Sequence, residues 1–228
     1  MGGGRIYANY IAHNLPNKKI CLIRFSPGAP YNPVEQFVQI THKEELPPYV
    51  IVSLVERSLI DRMLNLDFSE NDSLYVLMSD YKRPQYPKKK ITDMAIEYYK
   101  KLLDIDNPVY STHLNIDAFS YQGEESKFLF LDEDILIRFS DSAMDKAISK
   151  IDTLFKFAEN HGTKLIFLVC PNKFDMYQDY FVDDSKYIKD KDKTLHYVSK
   201  RIKHPGYIDA KRLLQPYIVQ GEKDIYYF

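Results

Sequence analysis

The chain has 228 residues, of which 45% are hydrophobic and 28% charged, with a formal net charge of -1. That length supports one large core or a core with an insertion, and the balanced charge gives no electrostatic case for nucleic acid or an anionic membrane surface. No stretch approaches the roughly 18–20 apolar residues of a membrane span.

Met1 to Gly4 leads into a helical pattern from Ile6 to Leu15. Three glycines in that place are either a disordered start or a backbone turn tight enough to reach a ligand. The start lacks the charged-then-apolar layout of a secretory signal. Lys19 to Phe25 reads as a strand, followed by Ser26-Pro27-Gly28-Ala29-Pro30, a loop dense in turn formers. Asn32 and Pro33 then form a cap-and-first-turn pair for a helix. Pro47-Pro48 closes that unit. Tyr49 to Leu54 is a short apolar strand running into a helix from Val55 to Leu64. This alternation predicts a parallel sheet in an α/β fold.

From Asn65 the pattern loosens. Ser73 to Met78 reads as a short strand, Lys82 to Lys90 as a Pro- and Lys-rich linker, and Thr92 to Leu103 as a helix. Tyr110 to Ile116, Lys127 to Leu131 and Asp134 to Phe139 alternate as antiparallel hairpin strands do. Residues 65–140 are therefore expected to form a β-rich insertion between two parts of the α/β core, 1–64 and 141–228.

The core pattern resumes with Met144, Ile148, Ile151, Leu154, Phe155 and Ala158 on one helical stripe, ended by His161-Gly162. Lys164 to Cys170 is an apolar run that predicts a strand buried on both faces. Lys186 to Lys203 is charged and reads as loop or frayed helix, Tyr207 to Tyr217 as a short helix, and the segment after Gly221 as a last strand.

Polar residues cluster where strands are expected to end. In an open α/β sheet, ligands sit in the crevice beyond the carboxyl ends of the strands. Gly28 allows close backbone approach to an oxyanion. Glu56 and Arg57 follow the second strand, where such a pair orients a substrate or, more often, forms a structural salt bridge. Asn172 offers a donor, Lys173 a fixed charge and Tyr177 an acid or hydrogen-bond donor. The plain alternative is a solvated strand-exit loop. Cys21 and Cys170 read as buried thiols, and the histidines form no cluster with metal spacing, so neither a metal nor a cofactor is expected. No serine lies in a Gly-x-Ser-x-Gly elbow, so no complete catalytic set is visible.

Three stretches, GGGRIYANYIAHNL, IVSLVERSLIDRML and KLIFLVCPNKFDMYQDYF, together with the tail GEKDIYYF, carry a further signal. In them the chain resembles the SGNH-hydrolase-like family, in the branch of alginate O-acetyltransferase-like proteins and related proteins of Bacteroides-type bacteria. The resemblance implies a three-layer α/β/α sandwich acting on acetyl esters of a carbohydrate, in the periplasm or cell envelope. It also implies a nucleophilic serine in a Gly-Asp-Ser-Phe block just before Gly2 to Gly4. An Asp-x-His-Trp block would follow Asp224 to Phe228. Neither block is in this chain, so the expectation is an incomplete esterase or O-acetyltransferase domain, inactive as it stands. Gly28 falls where a second oxyanion glycine is implied. Glu56-Arg57 stands where the family carries an asparagine, whose role would be unfilled or passed to Asn172. The competing expectation is a non-catalytic carbohydrate-binding or envelope-assembly module on a degenerate core of this kind.

Overall fold

Asn32 starts the first helix by accepting a hydrogen bond at its side-chain Oδ1 from the Val34 N–H, 3.1 Å away, with Pro33 in the first turn. The computed structural model describes residues 32–71, 109–119, 128–131, 139–182, 194–223 and 225. The first helix, α1, spans Pro33–Lys43, and strand β1 follows at Tyr49–Val55. Helix α2 (Glu56–Leu64) grows directly from the end of β1. Strands β2 (Val109–Thr112) and β3 (Phe128–Leu131) pair antiparallel, Val109 opposite Leu131.

Helix α3, Asp141–Asn160, is capped by the Ser140 side chain, which accepts from the Ala143 N–H. It ends at His161 and Gly162, whose positive φ of 75° suits a residue without Cβ. Strand β4 (Lys164–Cys170) follows, then the short helix α4 (Lys173–Tyr177) and a 3-10 turn, Gln178–Tyr180. Helix α5 (Thr194–Arg201), strand β5 (Tyr207–Asp209) and helix α6 (Ala210–Val219) complete the order.

The fold is mixed α/β. Its main sheet has three strands in the order β1-β4-β5, all parallel, with β4 in the centre. One face of that sheet presents Val52, Leu54, Leu165, Phe167 and Val169 to α1, α2, α3 and α5, forming the larger core cluster. On the other face Ile166, Leu168 and Cys170 of β4 are half-buried and Lys164 is exposed, and the alternate residues of β1 are exposed, Ile51 at 49%. The run of apolar residues in β4 therefore does not reflect equal burial on both faces.

A second cluster lies past the end of β4. Phe128 and Phe130 of β3 pack with Ala118, Phe174, Met176, Tyr177, Phe181 and Ile218 of α6. The chain at 113–115 runs antiparallel to the stretch after α4: the Asn115 N–H donates to Tyr180 O (2.7 Å) and the Val182 N–H to His113 O (3.0 Å). The hairpin region is thus docked at the carboxyl edge of the parallel sheet.

Two further expectations differ from the structure. Thr194–Arg201 is a regular helix, because Leu195 and Val198 bury against the core from one face of an otherwise charged segment. Tyr207–Asp209 is a strand rather than helix, since Phe167, Leu168 and Val169 of β4 supply a parallel partner. The expected helix at 6–15, the strands at 19–25 and 73–78, the helix at 92–103, the glycine-bearing loop with Gly28, and all but Phe139 of the strand expected from Asp134 to Phe139 lie outside the described residues.

Candidate functional site

Register brings the ends of the parallel strands to one level. Val55 lies opposite Cys170 on one side of β4, and Asp209 opposite Val169 on the other. The residues that leave these strands are polar, and several are buried. Among the described residues the buried charged side chains are Glu56, Asp175 and Lys211, one downstream of each strand of the sheet. Removing a charge from water is costly unless bonds replace the lost hydration.

Glu56 supplies the clearest geometry. Only 4% exposed, it opens α2 with its carboxylate turned inward. Its Oε2 accepts from the Asn172 N–H at 3.1 Å, and its Oε1 from the Leu195 N–H at 3.2 Å. Leu195 is in the first turn of α5, where backbone N–H groups have no partner within the helix. A carboxylate there satisfies one of those donors and meets the positive end of the helix. One side chain thus ties the exit of β1 to the exit of β4 and to the start of α5. Arg57, next in sequence, is half-buried in the first turn of α2.

The exit of β4 carries the other predicted residues. Asn172 stands at the cap position of α4, yet its side chain makes no capping bond. Among the described residues its buried Oδ1 has no hydrogen-bond partner, and neither has Gln178 Oε1 one helical turn beyond α4's centre. Lys173 is half-buried, with its Nζ 4.8 Å from the centre of the Phe128 ring and 5.3 Å from that of Phe119. Burial holds its pKa below the usual lysine value. Tyr177 is fully buried, its ring 5.4 Å from Phe119 and 5.3 Å from Phe128.

Cys170, the last residue of β4, has its Sγ 3.5 Å from Ser53 Oγ across the strand pair. Burial pushes the thiol pKa up, and the Ser53 contact only partly opposes that. This is the environment of an inert thiol, not of a nucleophilic thiolate. At β5, Asp209 Oδ1 accepts from the Lys211 N–H (2.9 Å), so it serves as a helix cap.

The structure therefore brings Glu56, Asn172, Lys173 and Tyr177 together at one edge, with Arg57 beside them, while Gly28 lies outside the described residues. Sequence reasoning missed Gln178, Phe119 and Phe128. The one available signal was their proximity in sequence to Asn172 for Gln178; nothing local marks the two phenylalanines. Among the described residues no group of His, Cys, Asp and Glu is placed to hold a metal ion, and no helix is long and apolar enough to cross a membrane. Compared with known proteins, the chain matches no protein-family model, no curated protein and no solved structure.

Proposed function

We propose that this chain carries the carbohydrate-facing part of an SGNH-like acyl-ester hydrolase or O-acetyltransferase domain, with the ligand docking at the carboxyl edge of the parallel sheet. The observation that supports it is the pair of buried amide oxygens, Asn172 Oδ1 and Gln178 Oε1, that lack a donor at a strand exit. An unmet buried acceptor costs about 1–3 kcal/mol. A hydroxyl is a neutral donor that recovers this energy without bringing a charge, and a saccharide carries many. The ester chemistry and an envelope location come from the sequence resemblance.

A second reading, a non-catalytic carbohydrate-binding or envelope-assembly module, is favoured by the kind of group involved. Amides bind and orient but do no acid–base work near neutral pH, and the thiol at the same edge is raised in pKa. Titration calorimetry with a partially acetylated oligosaccharide and its saponified form tests both readings, alongside an assay for acetate release. Saturable binding that falls about ten-fold in Asn172→Ala supports the site. Acetate release by a longer chain carrying the serine and histidine blocks selects the first reading, and binding without release selects the second. Absence of saturable binding to either sugar defeats both.

A further inference from the structure

Beyond the end of α6 the surface folds inward into a cleft of about 400 Å³, within the range that small organic ligands occupy. Buried Ala118 and Ile218 form its floor, half-buried Ile116 and Tyr180 its sides, and Val219, 70% exposed, its rim. Charge at the mouth is one-sided. Lys223 forms an ion pair with Asp117, while Glu222 next to it forms no ion pair among the described residues. Two carboxylates therefore share one ammonium. The helix adds to the same sign. Its dipole is negative at the carboxyl end, and the last turn of α6 has no basic side chain to offset it. The backbone of Glu222 is held against that end, since its N–H donates to Tyr217 O and the Gly221 N–H to Ile218 O, each at 3.0 Å. Gly221 makes this turn with a φ of 83°, in the region that favours glycine.

We propose that this cleft binds an organic ammonium with an apolar body, an alkyl or aryl amine. The hydrocarbon part covers Ile116, Ala118, Ile218 and Val219 and leaves water. The ammonium stays at the mouth, where Glu222 and the end of α6 both attract it. A neutral ligand of the same shape gains only the first of these contacts. An anion meets two carboxylates and the negative end of a helix. The cleft includes neither Asn172 nor Gln178, so the proposal goes beyond the carbohydrate reading and stands without it.

The test titrates the whole chain, near neutral pH and at low salt, with three probes that share a phenyl body and differ in charge. These are 2-phenylethylammonium, 2-phenylethanol and 3-phenylpropanoate, followed by ligand-observed NMR. We expect the ammonium to bind about ten-fold tighter than the alcohol, from an exposed ion pair and a helix end at roughly three-fold each. The carboxylate should bind weakest. Glu222→Gln is expected to weaken the ammonium about three-fold and to leave the alcohol unchanged. Lys223→Met, which removes the cation lining the cleft, should act in the opposite direction and tighten the ammonium. Val219→Lys, at an exposed position, sets a positive charge at the mouth and should abolish the preference. Equal binding of the ammonium and the alcohol overturns the proposal, and so does absence of saturable binding by the ammonium. A preference that both Glu222→Gln and Val219→Lys leave intact places the binding elsewhere and overturns it too.

Discussion

Glu56 illustrates how one residue can set the geometry of several elements. Its carboxylate accepts from the main-chain N–H of Asn172 and of Leu195, residues separated from it by most of the chain. Both donors are buried, so deleting the acceptor leaves each unmet. We predict that Glu56→Ala lowers stability by about 2–6 kcal/mol, from two unmet donors at roughly 1–3 kcal/mol each. Urea denaturation reads this directly, and a loss below about 1 kcal/mol would show that the carboxylate does not clamp the turns. Lys173 gives a prediction of opposite sign. Burial places its folded-state pKa below the usual 10.5, so charging it penalises the folded state. Between the two pKa values the unfolded chain binds more protons, and stability rises with pH across that window. Lys173→Met removes the penalty. The variant is expected to melt above wild type near neutral pH, with the gap closing as pH climbs toward 10.5. A gap that widens with pH would contradict this.

At the scale of elements, local chemistry accounts for where helices start and stop. Ser140 caps α3, and Ser140→Ala should cost about 1 kcal/mol. Gly206 is more demanding. A Cβ there would run into the Leu165 carbonyl oxygen, and the Gly206 carbonyl accepts from the Phe167 N–H at 2.8 Å. Gly206→Ala is therefore expected to displace β5 from β4. Amide exchange at Phe167 should speed up markedly, whereas Gly162→Ala should strain only its own turn. The same scale shows what local pattern conceals. Leu195, Val198 and Ile202 carry a helical stripe at spacings of three and four, but lysines and an arginine around them gave the segment the look of a loop. Tyr207–Asp209 has too few residues to show an alternation, and its strand state comes from pairing with β4.

Across the whole molecule, the carboxyl edge is where the parallel sheet meets the docked hairpin. Phe128, 2% exposed, serves both the second core cluster and the wall beside Lys173. We predict that Phe128→Ala lowers stability by about 3–5 kcal/mol. It should also wet the Lys173 amine and bring its pKa back toward the usual lysine value. Phe167→Ala, in the other cluster, should be comparably destabilising while leaving the surroundings of Lys173 in place. Comparing chemical denaturation with the pH dependence of melting in the two variants separates a general loss of packing from a local loss of the aromatic wall.

The sequence by itself determined the α/β class, because β1 with α2, and α3 with β4, each carry their signal within a few neighbouring residues: apolar runs, the Asn32 cap before α1, and Gly162 at a helix end. It also marked Asn172 and Lys173, since a polar turn directly after an apolar strand is a local feature. What only the tertiary structure decided depends on residues far apart in the chain. The inward turn of Glu56 needs donors at Asn172 and Leu195, and the burial of Lys173 needs rings from Phe119 and Phe128. Strand register alone brings the three exits to one level. Hydrogen bonding and desolvation act through space, and the order of residues carries no direct trace of them.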